Sequence, residues 1–124
     1  MNHVQALIIE DDPKLAAIFA EALRAAEYEI DIAQDGQVAL GRLAEMIPAI
    51  VILDLHLPHL SGKDILYHIR ADERFTRTRV MLTTADPLMA ETLRTEADLV
   101  LLKPISFSQL RDLAARLHPR DLTD

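Results

Sequence analysis

An unbroken run of apolar residues, Ile50-Val51-Ile52-Leu53, ends directly at a carboxylate, Asp54. A strand that is apolar at every position is typical of a parallel sheet that is covered on both faces. The carboxyl ends of such strands form the rim at which open α/β sheets bind their ligands. Because a carboxylate is costly to bury alone, we expect Asp54 to have charged or polar partners at this rim.

Strand and helix patterns alternate five times along the chain, and a helix follows each predicted strand. This alternation predicts a parallel sheet with helices on both faces and right-handed crossovers. Five units are too few for an eightfold barrel, so we predict an α/β fold of the flavodoxin-like, doubly wound (βα)5 type with strand order 2-1-3-4-5. The predicted strands are Val4–Ile9, Glu29–Ala33, Ile50–Leu53, Arg79–Thr83 and Leu99–Leu102.

Local signals mark the beginnings of two helices. Asp12, which precedes a proline, is predicted to cap the first helix, and Ser106 opens a capping-box pattern before the fifth. The fourth helix has the weakest pattern. Its apolar residues are predicted to pack against the sheet, with a partner-binding face as the alternative: Leu88, Met89 and Leu93.

Length and composition limit the classes of function. A chain of 124 residues is one domain, which we place at residues 1–118, with 119–124 as a frayed tail or the start of a linker. No apolar segment approaches the roughly 18 residues that span a membrane, and the absence of cysteine suits a reducing cytoplasm. A net charge of −7 disfavours direct binding to nucleic acid.

Polar residues follow the predicted strands where each strand ends. Glu10 and Asp11 follow the first strand and Asp54 follows the third, which lies beside it in the predicted order. Carboxylates this close repel unless a cation joins them, and Mg²⁺ prefers such oxygen ligands. Thr84 and Lys103, after the fourth and fifth strands, add a hydroxyl and a positive charge. Together these groups suit the handling of a phosphoryl group, with Asp54 as a possible nucleophile.

In this arrangement the chain resembles the receiver domain of two-component response regulators. The resemblance rests on the acidic pair in the segment Leu7–Asp12, on Asp54–Pro58 with Gly62 after it, on Thr84-Ala85 and on Lys103-Pro104. The spacings of 43, 30 and 19 residues between Asp11, Asp54, Thr84 and Lys103 are also similar to those of the family.

The resemblance implies a role for each of these residues. Asp54 would accept a phosphoryl group from a phosphohistidine. Asp11 and Asp54 would ligate Mg²⁺, with Glu10 acting through water and the backbone carbonyl of His56 completing the protein ligands. Thr84 and Lys103 would bind the oxygens of the phosphoryl group, and Ala85 would leave room for it. A cis peptide bond before Pro104 would shape the loop that carries the lysine.

The resemblance also implies partners and a mode of action. The partners would be a sensor histidine kinase or phosphotransfer protein and a downstream protein or fused output domain, with a homodimer as an option. The domain would be a signalling switch, not an enzyme, although it would assist its own phosphorylation and dephosphorylation.

Some features depart from the family or allow other functions. Val100 stands where an aromatic residue often follows the movement of the threonine, which keeps open a phosphorylation-independent interaction module on the same fold.

An aspartyl phosphohydrolase similar to haloacid dehalogenases would want a second acid where His56 stands. The pair His56 and His59 has no third nitrogen ligand in register, which argues against zinc. The remaining histidines are predicted to lie at the surface: His3, His68 and His118.

Overall fold

Five parallel strands form a single sheet in the predicted order, second, first, third, fourth and fifth. The computed structural model describes residues 4–122. Its strands are β1 (Gln5–Ile9), β2 (Glu29–Ala33), β3 (Ile50–Asp54), β4 (Arg79–Thr84) and β5 (Leu99–Leu102). Its helices are α1 (Pro13–Ala25), α2 (Gly36–Leu43), α3 (Gly62–Ala71), α4 (Pro87–Thr92), α5 (Phe107–Arg116) and α6 (Pro119–Leu122), and a 3-10 turn spans Glu73–Phe75.

Helices cover both faces of the sheet, as the apolar run of β3 predicts. Alternate residues of each strand point to opposite faces, so the sheet contributes to two separate cores. One core joins the sheet to α2 and α3 and the other joins it to α1 and α5. Every residue of β3 is buried. The covered faces confirm a doubly wound sheet, whose carboxyl edge is left to carry the site.

The predicted caps are formed, and α4 differs from its prediction in one respect. Asp12 accepts hydrogen bonds from the backbone N–H groups of residues 14 and 15, and Ser106 accepts one from Gln109 N. In α4 no residue is buried. Leu93, just after it, is buried, but Leu88 is 75% exposed, so the prediction that Leu88 packs is wrong. A helix of six residues has too few turns to bury a stripe.

The chain end packs more tightly than its sequence predicts. His118 was expected at the surface but is only 3% exposed, so that expectation is wrong. Its ring lies 4.8 Å from the ring of Tyr28, and its Nε2 is 3.1 Å from the backbone oxygen of Glu27. A short helix, α6, follows it. The division of the chain at residue 118, with a frayed tail or the start of a linker after it, stays a prediction. His68 is exposed as predicted, and His3 lies outside the described residues.

Candidate functional site

Four strands bring the predicted site residues to one edge of the sheet. Glu10 and Asp11 follow β1, Asp54 ends β3, Thr84 ends β4 and Lys103 follows β5. The chain changes its winding direction between β1 and β3, which are neighbours in the sheet. Such a switch point leaves a crevice at the carboxyl ends of the strands, where α/β proteins bind ligands.

Three carboxylates form the centre of this crevice. Glu10, Asp11 and Asp54 each place one oxygen within 4.8 Å of the others. Glu10 and Asp54 are only 1% and 2% exposed, whereas Asp11 lies open to solvent. Because two of these acids are removed from water, their mutual repulsion is weakly screened. The cluster therefore requires positive charge.

Lys103 supplies part of that charge. Its Nζ lies 3.1 Å from Glu10 Oε1 and 3.5 Å from Asp54 Oδ2. The backbone also holds the residue in place, since Lys103 N donates a hydrogen bond of 2.7 Å to the backbone oxygen of Thr84. The bond between Lys103 and Pro104 is cis, the form that the resemblance implies. The lysine side chain thus enters the crevice from the β5 side.

The pKa of Glu10 shows that the negative charge of the three carboxylates is not fully compensated. Burial, together with the nearby Asp54 carboxylate, raises the pKa of Glu10 from 4.5 to about 7. The backbone N–H of Asp12, 3.2 Å from Glu10 Oε2, and the ammonium group of Lys103 act in the opposite direction but do not outweigh burial. One lysine therefore does not fully balance the buried acids.

This donor set fits Mg²⁺. A hard divalent cation binds oxygen ligands and is typically held by one or two carboxylates together with water. Glu10, Asp11 and Asp54 offer converging oxygens, and the raised pKa of Glu10 is consistent with a cluster that favours added positive charge. The backbone carbonyl of His56 stays a predicted fourth protein ligand. Its N–H donates to Asp54 Oδ1 at 3.1 Å, which places this loop at the cluster.

Thr84 lies deeper than a strand-end residue usually does. It is fully buried, and its hydroxyl accepts a hydrogen bond of 3.0 Å from Asp86 N. The hydroxyl also lies 3.2 Å from Nε2 of His56. Among residues 4–122, these are its hydrogen-bond partners, and Asp54 is not one of them. Ala85, next along the chain, is exposed.

The sequence interpretation missed the contact between His56 and Thr84. From the sequence, the only role expected of His56 in this site is that of its backbone carbonyl as a metal ligand. The two residues are 28 positions apart and belong to loops after different strands. No local pattern signals that pairing, because it depends on the direction of two side chains across the crevice.

Two further residues support Asp54 from its own side of the site. At Gly62, an added Cβ would lie 2.2 Å from the backbone oxygen of Asp54, so only glycine fits beside that strand end. Thr83 is the partner of Asp54 in the β3–β4 register. The Thr83 hydroxyl is buried and, within the described part of the chain, has no hydrogen-bond partner.

Val100 stands where the resemblance implies an aromatic residue that moves with the threonine. It lies in β5 opposite Leu82 of β4 and packs, half-buried, against the core beneath α2 and α3. It also lines a groove of about 460 Å³ between α4 and β5, together with Pro87, Ala90 and Leu102. A small aliphatic side chain there cannot rotate between inward and outward positions as a large ring can.

Comparison with known proteins agrees with this architecture. The family profile of the response regulator receiver domain matches residues 6–115. The transcriptional regulatory protein TrcR of Mycobacterium tuberculosis is 32% identical over 116 residues, which cover 92% of this chain and 44% of TrcR. The DNA-binding response regulator MtrA of Mycolicibacterium smegmatis is 34% identical over 118 residues, which cover 92% of this chain and 49% of MtrA.

A solved structure agrees over the same region. The response regulator TrrA from Thermotoga maritima, in complex with Mg(2+)-BeF, superimposes with a TM-score of 0.81 at 28% identity, covering 92% of this chain and 98% of TrrA. The chain spans less than half the length of TrcR and MtrA. From the profile match, the topology and the acidic crevice, we conclude that this chain belongs to the response regulator receiver domain family.

Proposed function

We propose that Asp54 accepts a phosphoryl group from a phosphohistidine and that the phosphorylated domain changes a protein-binding surface. The observation that carries this proposal is the placement of the Asp54 carboxylate. It is buried at the end of β3, within 4.8 Å of two further acids and 3.5 Å from the Lys103 ammonium group. Such a site positions a nucleophile and stabilises charge, which are the main requirements of phosphoryl transfer.

The chemical step involves one bond made and one broken. An oxygen of the Asp54 carboxylate attacks phosphorus, and the bond between phosphorus and the histidine nitrogen of the donor breaks. The imidazole leaves with the electron pair of that bond, and the product is an acyl phosphate on Asp54. Hydrolysis later returns the carboxylate and inorganic phosphate. The domain assists both steps by positioning, without a separate substrate of its own.

The surrounding residues hold the reacting groups in place. Glu10, Asp11, Asp54 and the His56 carbonyl would hold Mg²⁺, which neutralises phosphoryl charge when it is bound. Lys103 is close enough to Asp54 to contact a phosphoryl oxygen on it. Thr84 would bind another oxygen after movement of its hydroxyl. Ala85, whose side chain is small and exposed, would leave room for the phosphoryl group.

The proposed partners follow from this chemistry. A histidine kinase or a phosphotransfer protein would supply the phosphoryl group in the cytoplasm. The output would be a separate protein or a further domain, since the relatives TrcR and MtrA are longer than this chain. The net charge of −7 disfavours direct contact between this domain and nucleic acid. Homodimerisation remains a further option.

Within residues 4–122, no helix combines the length and apolar character that a membrane crossing requires.

A second candidate, a phosphorylation-independent interaction module on this fold, is favoured by one observation. Val100 cannot act as the aromatic reporter of threonine movement. In such a module, phosphorylation would leave both partner binding and the amide resonances of α4 unchanged. The phosphohydrolase alternative has no comparable support, because His56 stands where such enzymes want their second acid.

The test is treatment with acetyl phosphate and Mg²⁺, followed by intact mass spectrometry and by amide NMR of α4. We expect an adduct of one phosphoryl group, absent from Asp54→Asn and strongly reduced in Asp11→Asn. The matched control is Asp12→Asn, because Asp12 is exposed and asparagine also caps a helix. No adduct, or an adduct that persists in Asp54→Asn, would refute the proposal. An adduct without any change in α4 would favour the second candidate.

A further inference from the structure

The Thr84 hydroxyl is held by two partners in the resting protein. The backbone N–H of Asp86 donates to it at 3.0 Å, and His56 Nε2 lies 3.2 Å away. A hydroxyl has one proton and two lone pairs, and a backbone N–H can only donate. His56 therefore engages either the hydroxyl proton or the second lone pair. Because Thr84 is fully buried, no water competes for these positions.

The two partners belong to different segments of the chain: His56 follows β3, and Asp86 precedes α4. The backbone N–H of His56 donates to Asp54 Oδ1 at 3.1 Å, so this residue is tied both to the proposed phosphoacceptor and to Thr84. Asp86 is the N-cap of α4, and its Oδ1 accepts from Leu88 N at 3.0 Å and Met89 N at 3.3 Å. The Thr84 hydroxyl thus connects the loop after Asp54 to the first turn of α4.

We propose that the His56 side chain is a positioning residue that holds the Thr84 hydroxyl in its resting place and competes for it with a phosphoryl group on Asp54. When Thr84 moves to the phosphoryl group, it leaves both His56 and the N–H of Asp86, and the cap of α4 is disturbed. This inference rests on the proposed function. It also connects a phosphoryl group on Asp54 to α4 without requiring an aromatic residue at position 100.

The construction of α4 makes it responsive to such a change. The helix has six residues, and none of them is buried. A short helix without a fully buried residue depends on its cap, because only partly buried side chains such as Met89 pack it against the core. Loss of the hydrogen bond from Asp86 to Thr84 would therefore act on the least anchored helix that follows a strand in this sheet.

The test compares two substitutions of His56. His56→Phe keeps an aromatic ring without the nitrogen, and His56→Gln places an amide nitrogen or oxygen at a similar reach. Beryllium fluoride, a phosphoryl mimic, is titrated in the presence of Mg²⁺, and the amide resonances of Thr84 and Asp86 are followed by NMR. Loss of one hydrogen bond from the resting state should tighten the apparent affinity roughly fivefold in His56→Phe. His56→Gln should return it close to that of the wild type.

The control is His68→Gln on α3, since His68 is exposed and lies outside the crevice. A second comparison repeats His56→Phe in a Thr84→Val background. If His56 acts through the Thr84 hydroxyl, its substitution has no further effect there. An equal effect in both backgrounds would mean that His56 acts directly on the phosphoryl group, and the proposal would be overturned.

The outcomes separate this inference from the proposed function. If the wild type binds neither the mimic nor a phosphoryl group, both proposals fail. If the wild type binds the mimic but His56→Phe has unchanged or weaker affinity, the positioning role alone fails. If His56→Phe binds more tightly but the Asp86 amide does not respond to the mimic in any variant, the outward route through the α4 cap is overturned.

Discussion

The ammonium group of Lys103 lies closer to Glu10 than to Asp54, at 3.1 Å from Glu10 Oε1 against 3.5 Å from Asp54 Oδ2. Glu10 is also the acid whose pKa rises to about 7, chiefly because of its burial. A single lysine is therefore shared between two buried carboxylates and favours the one that is not the proposed phosphoacceptor. Asp54 Oδ1 accepts a hydrogen bond from His56 N at 3.1 Å, while its Oδ2 faces the lysine that Glu10 also holds.

The raised pKa of Glu10 predicts how stability depends on pH when divalent cations are removed with a chelator. The folded protein holds this proton up to about pH 7, whereas the unfolded chain releases it near pH 4.5. The contribution of Glu10 is thus fully present below pH 4.5 and is lost as pH rises through 7. A pKa shift of this size corresponds to a loss of at most about 3 kcal/mol in the free energy of unfolding.

Urea denaturation of the wild type and Glu10→Gln across this range measures the effect. The stability of Glu10→Gln relative to the wild type should rise between pH 5 and 8, because glutamine carries no charge to bury. Addition of Mg²⁺ should stabilise the wild type more at pH 8 than at pH 5. A stability difference that does not vary with pH would contradict the assigned pKa.

Gly62 is predicted to tolerate no side chain. In Gly62→Ala, the new Cβ would lie 2.2 Å from the backbone oxygen of Asp54 and 2.7 Å from Leu55 Cα. Backbone atoms cannot move aside as a flexible side chain can, so we expect a loss of about 3 kcal/mol in the free energy of unfolding. Acetyl phosphate labelling of Asp54 should also decrease.

The control for this substitution is Gly41→Ala in α2, where an added Cβ would have no atom within 4 Å. Alanine favours the helix, so this variant should gain about 0.5 to 1 kcal/mol in the free energy of unfolding. Chemical denaturation measures both variants. Equal stability of the two would show that the close approach at Gly62 is not required.

Two of the buried threonines, Thr83 and Thr78, predict opposite effects of the same substitution. The Thr83 hydroxyl has no hydrogen-bond partner among the residues described, whereas that of Thr78 donates to the backbone oxygen of Pro48 at 2.7 Å. Thr83→Val should therefore stabilise the protein by about 1 kcal/mol, because it removes a buried polar group that gains nothing from folding. Thr78→Val should destabilise it by a similar amount, about 1 to 2 kcal/mol, because it leaves a carbonyl unpaired.

Thermal denaturation of both valine variants gives the comparison directly. Thr83→Val should also retain labelling by acetyl phosphate, since no role in the chemical step is assigned to Thr83. Loss of labelling in a folded Thr83→Val protein would place that hydroxyl in the phosphoryl site.

Asp98 organises the opposite edge of the sheet and should affect stability without affecting phosphorylation. It accepts a hydrogen bond of 2.7 Å from Val80 N and pairs with Arg70 at 3.0 Å and Arg79 at 3.2 Å. Burial by itself raises the pKa of Asp98, but these donors outweigh it and the pKa lies below the usual 3.8. Asp98→Asn should cost about 1 to 3 kcal/mol at pH 7.

The sign of the pH dependence is opposite to that of Glu10. Because the folded pKa of Asp98 is lowered, its contribution is present above the unfolded value of 3.8 and is lost as pH falls through the folded value. The difference between the wild type and Asp98→Asn should thus shrink in acid. The exposed Asp112, paired only with its neighbour Arg111 in the described structure, provides the control Asp112→Asn, which should change stability little.

Helix caps and the apolar residues of the fourth helical segment show where prediction from local pattern succeeds and where it fails. The predicted caps Asp12 and Ser106 are formed, because caps are local and readable from a few residues. The burial of the apolar residues in and after α4 is not local. Leu88 and Leu93 have the same chemistry, yet one is exposed and the other buried, because only the second faces the sheet.

The covered parallel sheet and the meeting of Glu10, Asp54 and Lys103 at one edge could be predicted from residue patterns. Apolar runs predict the strands and helices, the strand order is the common one for a small sheet of this type, and polar residues at strand ends meet at its carboxyl edge. Which side chains touch depends on the tertiary structure. The hydrogen bond between His56 and Thr84 joins residues 28 positions apart, and the burial of His118 depends on Tyr28. Such contacts depend on side-chain rotamers and on packing between distant segments, which no local pattern encodes.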